Sequence, residues 1–179
     1  MQVTDQVLSA VFADASQFCG REDVIHAIIH HQLTKAGIPS VRIAREYNKC
    51  DVVVFGNNVN GDFATTDCKP LVAIEVKGGA YNSRNALTDQ IDQFGYCSDM
   101  AKLKPSAAKG IECWFICVDM PELGRAVSAK KAELVAEQCQ AHGLSFAYYC
   151  LGEGHCYVLR PRKKFMTVPV APSKASETL

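Results

Sequence analysis

The run Glu112-Cys113-Trp114-Phe115-Ile116-Cys117-Val118 constrains the fold of this chain more than any other segment. It is apolar at nearly every position rather than at every second one. That is the pattern of a strand covered on both faces, and such a strand requires other layers packed against its sheet. Three earlier runs read as further strands: VRIAREY (41–47), CDVVVF (50–55) and LVAIEVK (71–77), the first two joined by a tight turn at Asn48–Lys49. LSFAYYC (144–150) and HCYVLR (155–160) flank the turn LGEG and predict a hairpin. Between the strands lie helical patterns. Residues 21–36 carry Val24, Ile25, Ile28, Ile29 and Leu33 at the helical period, acidic Glu22 and Asp23 in the first turn, and Gly37 and Pro39 as a stop. Val3, Val7, Val11 and Phe18 predict a short helix over 3–18. Residues 83–103, with Leu87, Ile91, Phe94 and Met100 inward, and residues 128–142, ended by Gly143, predict two more. The order helix, β, β, β, helix, β, helix, β, β implies an α/β (α+β) fold: a mixed central sheet with helices on its faces.

Length suits one domain over residues 1–165, with 166–179, rich in Pro, Ser and Ala, expected as a flexible tail. The polar connection from Gly56 to Pro70 is long enough to expect a functional or mobile loop. No apolar run approaches the roughly 20 residues of a bilayer span, so no membrane association is expected. The N-terminus has no basic patch before an apolar stretch, which predicts a cytoplasmic chain. Nineteen basic residues balance nineteen acidic ones, excluding a polybasic binder of the histone type. The balance is uneven: residues 1–100 carry 8 basic and 12 acidic side chains, and residues 101–179 carry 11 and 7. The run Arg160, Arg162, Lys163, Lys164 reads as solvated surface or as a hold on a phosphate backbone. Nine cysteines, odd in number and without a CxxC, read as reduced thiols that serve mostly as small buried hydrophobes.

The chemistry concentrates at Ile74-Glu75-Val76-Lys77. On a strand Glu75 and Lys77 project to one side while Val72, Ile74 and Val76 project into the opposite core. Two charges at the end of so apolar a strand are costly to bury without a purpose. The preceding strand starts at Asp51, with Val53 and Phe55 expected on the same side. If the strands pair, Asp51 and Glu75 converge on one hard cation, Mg²⁺ or Mn²⁺. A divalent ion neutralises a phosphate and acidifies a bound water, and a neighbouring lysine orients that water or stabilises developing charge. By spacing alone, the same residues also read as an ordinary Glu–Lys pair at a strand edge. Glu22 borders the buried face of its helix, and reads either as a carboxylate pointing into a cleft or as a first-turn charge in water. His26 and His30, four apart on one helix, could share a metal, but they lack the glutamate of a zinc-protease motif and read as helix-surface or groove histidines.

Asp51 followed by Glu75-Val76-Lys77, with Arg45-Glu46-Tyr47 leading into Cys50-Asp51-Val52-Val53-Val54, resembles the PD-(D/E)XK phosphodiesterase superfamily. That family includes restriction endonucleases, Holliday-junction resolvases and RecB-like exonucleases. The resemblance spans roughly residues 21–120 and rests on a short motif placed in the right order of elements. It implies a restriction-endonuclease-like core and a Mg²⁺- or Mn²⁺-dependent nuclease that hydrolyses DNA. It implies that Asp51, Glu75 and the Val76 carbonyl ligate the metal and that Lys77 positions or activates the attacking water. It further implies that Glu22 holds a second metal or a metal-bound water, and that Gln90 faces the cleft. Many members cut as dimers, which leaves a homodimer open here. The motif's proline is replaced by Cys50, and Gln90 lacks the tyrosine four residues on that marks the RecB-like group. Two other readings stay open: a non-catalytic nucleic-acid- or protein-binding module that keeps the fold, and a metal-free interaction protein such as a toxin's immunity partner.

Overall fold

The computed structural model describes residues 3–18, 21–56, 68–78, 96–119, 129–161, 163–164 and 166–170. Among these residues four α-helices, α1 (Asp5–Ala15), α2 (Glu22–Lys35), α3 (Tyr96–Ala108) and α4 (Ala129–Ala141), surround a mixed sheet. Its strands are β1 (Ile43–Tyr47), β2 (Cys50–Phe55), β3 (Pro70–Gly78), β4 (Glu112–Asp119), β5 (Ser145–Cys150), β6 (His155–Leu159) and β7 (Met166–Pro169). They lie side by side in chain order. β1, β2 and β3 form an antiparallel meander, β3, β4 and β5 run parallel, and β6 and β7 return antiparallel. β4 is central and buried along nearly its whole length, as its unbroken apolar run requires.

Both parallel connections step the same way across the sheet. Crossovers of one hand then place α3 and α4 on one face, where Leu103, Val135 and Cys139 pack with Phe115, Phe146 and Tyr148. α1 and α2 fill the other face, setting Leu8, Phe12, Ile25 and Ile29 on Val52, Ile74, Trp114 and Ile116. Thr4 caps α1, its hydroxyl accepting from the Val7 amide. α2, α3 and α4 stop alike. Gly37, Gly110 and Gly143 take left-handed φ of 94°, 76° and 71°. In each case the amide of the following residue, Ile38, Ile111 or Leu144, bonds back to the carbonyl five residues earlier. This is the Schellman arrangement, and it feeds an apolar residue from each helix end back toward the core. The β1–β2 turn has φ of 51° at Asn48 and 68° at Lys49, the type I′ geometry that matches strand twist.

Three expectations need correction. The helix expected over 83–103 continues to Ala108 through Pro105, and its portion 83–95 lies outside the described residues. Phe18 is 52% exposed, because α1 ends at Ala15 and its core contacts come from Leu8 and Phe12 instead. The tail expected from 166 begins as a strand. β7 pairs with β6, and Val168 and Val170 are buried on the face covered by α1 and α2; residues 171–179 lie outside the described residues. No helix among the described residues is long and apolar enough to cross a membrane. Six of the seven cysteines whose side chains are described are buried; burial pushes Cys50 and Cys150 up to about 11 and Cys113 and Cys156 up to about 12.

Candidate functional site

The site forms where β2 parts from β3, near the C-terminal end of β3, the end at which open parallel sheets hold ligands. Val52 still pairs with Ile74. One residue further, the ladder is replaced by a side chain: Asp51 Oδ2 accepts from the Val76 amide at 2.6 Å. The carboxylate therefore lies in the seam between the strands. Strict alternation would have put Asp51 beside Val53 and Phe55, but Cys50 joins that cluster instead. The neighbouring strand is irregular at the same level, with Glu46 at φ 53°.

Glu22 opens α2 and turns into this fork. Its Oε2 accepts from the Gly78 amide at 3.3 Å and its Oε1 lies 3.8 Å from Lys77 Nζ. The adjacent Asp23 faces water instead, paired with Arg21. One turn on from Glu22, His26 is only 4% exposed, so the expectation of a surface or groove histidine is corrected. Its Nε2 is 3.5 Å from Asp51 Oδ2 and its Nδ1 is 3.6 Å from Glu46 Oε1. His30 turns elsewhere, to the Ser40 hydroxyl at 3.1 Å. Glu75 has no exposed surface. Its Oε1 accepts from Lys102 Nζ of α3 at 2.6 Å and lies 3.7 Å from Lys77 Nζ. Lys77 thus stands between Glu22 from one layer and Glu75 on the other side of the sheet.

The two inner carboxylates are driven apart electrostatically. Burial disfavours charge on Asp51, but the contact with His26, the Val76 amide and the nearby Lys77 outweigh it and hold the carboxyl below its usual range. Burial pushes Glu75 up to about 7; Lys102 opposes the rise and the charge on Asp51 adds to it. Oppositely shifted neighbours of this kind are characteristic of functional sites.

Sequence reasoning expected Asp51, Glu75, Lys77 and Glu22 to meet; in the structure Lys77 lies within 3.8 Å of both Glu22 and Glu75, and Asp51 bonds to the amide of the intervening Val76. Among the described residues the donor set differs from the expected one. One ligand atom each from Glu22, His26 and Asp51 lie within 4.8 Å of one another, while the nearer Glu75 oxygen is engaged by Lys102. Two buried polar atoms here lack a hydrogen-bond partner, His26 Nε2 and Glu75 Oε2. Buried orphans are costly in a finished structure, and these have the chemistry of cation ligands. An imidazole and several carboxylates fit a divalent ion. Lys102 was missed, and His26 was weighed as a ligand only together with His30. His26 was detectable, since it stands four residues after Glu22 on the face that carries Ile25 and Ile29. Lys102, between buried Met100 and Leu103, has no comparable signal. Gln90 lies outside the described residues.

No protein-family model, curated protein or solved structure matches the chain.

Proposed function

We propose that the protein is a divalent-metal-dependent nuclease of the PD-(D/E)XK kind, with a restriction-endonuclease-like core, hydrolysing phosphodiester bonds in DNA in the cytoplasm. One observation carries the reading: Glu22 from a helix, Asp51 from β2, and Glu75 and Lys77 from β3 are gathered around one fork between two strands. Glu22, His26 and Asp51, with Glu75 beside them, would hold the ion. Imidazole is a poor ligand for Mg²⁺ and an ordinary one for first-row transition ions, so of the two ions expected Mn²⁺ fits better. When bound, the ion supplies charge neutralisation at a phosphate and a more acidic water.

The chain's own groups supply the rest. Lys77, held between two carboxylates, presents an ammonium that orients a water and stabilises charge developing on the phosphate. The Val76 amide fixes the Asp51 carboxylate, so this ligand needs little reorganisation. His26, wedged between Asp51 and Glu46, limits where Asp51 can turn. The test is cleavage of duplex, single-stranded and branched DNA with Mn²⁺ or Mg²⁺. The reading expects cutting that is lost in Lys77→Ala while the fold is kept. Equal inertness of both proteins on all substrates would refute it. The hydrogen bond from Lys102 to Glu75 favours one rival, a non-catalytic binding module, because it neutralises a carboxylate needed for metal. Calorimetry separates the two: a module of that kind takes up no Mn²⁺ through its carboxylates.

A further inference from the structure

Glu75 carries two ammonium groups on one oxygen, and they reach it by different routes. Lys77 lies on the same strand, its side chain 17% exposed and placed between Glu75 and Glu22. Lys102 comes from α3, makes the shorter contact at 2.6 Å, and has a side chain 32% exposed. An ionised carboxylate without exposed surface must have a partner. A divalent ion at Glu22, His26 and Asp51 would bring a stronger positive charge beside Glu75 than either lysine does. Three cations would then crowd one carboxylate, and of the two lysines Lys102 has the more exposed side chain.

We propose that Lys102 is an exchangeable counter-cation for Glu75: it neutralises this carboxylate in the metal-free protein and gives way to solvent when a divalent ion binds. The inference rests on the metal-binding reading above. Lys102 acts through Glu75 and is a positioning residue. It sets the threshold for metal uptake, keeping the fork stable before the ion arrives.

Mn²⁺ titration calorimetry on the full chain at neutral pH provides the test. Lys102→Met removes the competitor and should bind Mn²⁺ about tenfold more tightly than wild type. Lys102→Arg keeps the charge and should stay within about threefold of wild type. In a Glu75→Gln background, Lys102→Met should change affinity by less than about twofold, because the shared partner is gone. An unchanged or weaker affinity in Lys102→Met overturns the inference, and so does a full gain that persists in the Glu75→Gln background. In the unaltered protein, saturating Mn²⁺ should speed acylation of the Lys102 amine severalfold relative to exposed Lys49, read by mass spectrometry; an unchanged or slower rate overturns it without any variant having to fold. A wild type that takes up no Mn²⁺ defeats the metal reading itself, whereas uptake without these changes defeats only the role of Lys102.

Discussion

The sheet has a polar cluster at each end, and the two are built on opposite principles. At the start of β4, Arg160 lies over the Trp114 ring at 5.0 Å, donates to the Val3 carbonyl at 3.0 Å and pairs with Asp5. Glu112 Oε1 accepts from Trp114 Nε1 at 2.7 Å and from the Val3 amide at 3.0 Å. Unlike charges and complementary donors here tie the chain start and α1 to β4 and the end of β6. At the fork, like charges meet instead. The carboxylates of Glu22 and Glu75 flank Lys77 at 3.7–3.8 Å, and the charge on Asp51 acts against ionisation of Glu75. The first cluster has the form of a fastening. The second concentrates electrostatic strain, which a fold tolerates where a ligand will relieve it.

The contrast breaks most readily at Lys77. Lys77→Ala should lower metal-dependent DNA cleavage about a thousandfold while changing unfolding free energy by only about 1 kcal/mol, measured by cleavage assay and urea unfolding. A comparable loss of stability would make the fork a second fastening. Next in size is the pH dependence of stability without metal. Glu75 is raised from 4.5 to about 7 on folding, so the native state binds its proton more strongly. Its contribution is complete below 4.5 and is lost as pH rises through 7, by at most about 3 kcal/mol. Asp51 is lowered, so its contribution is present above the usual carboxylate range and is lost as pH falls through its folded value. Urea midpoints should therefore peak in mild acid. A flat profile from pH 4.5 to 8 would show that Glu75 is not strained.

Arg160→Ala should cost about 2 kcal/mol through lost ring stacking, a lost hydrogen bond to backbone and a partly exposed ion pair, with little effect on Mn²⁺ affinity. Arg160→Lys should recover only part of this. Smallest is Glu75→Gln at neutral pH, expected within about 1 kcal/mol of wild type. That variant should abolish the loss of stability on the alkaline side, and calorimetry should find weakened Mn²⁺ binding.

Much of this was legible in the sequence because the apolar periods are strong. CDVVVF, LVAIEVK and ECWFICV could hardly be anything but interior strands, and Gly37 and Gly143 marked their helix ends. β7 was missed because Met166-Thr167-Val168 is short and followed by prolines; only pairing with β6 makes it a strand. The end of α3 was missed because Pro105 reads as a stop, yet the helix continues to its cap at Gly110. In the site, Glu75 and Lys77 were legible because charges at the end of a buried strand are anomalous. Asp51 was legible as a participant but not in its direction, because alternation cannot foresee a carboxylate that replaces a ladder bond. Lys102 was invisible because only tertiary packing of α3 brings it to Glu75.

The outer strands have one further consequence. An open sheet can recruit another chain along its rims by continuing the backbone ladder. On one rim, β1 carries Arg45 and the left-handed Glu46, followed by the left-handed turn at Asn48 and Lys49. On the other, β7 is four residues long and ends at Pro169, which has no amide hydrogen to donate. Both borders are thereby blunted as templates for strand addition. Fibril-like stacking of the sheet through either rim is thereby disfavoured.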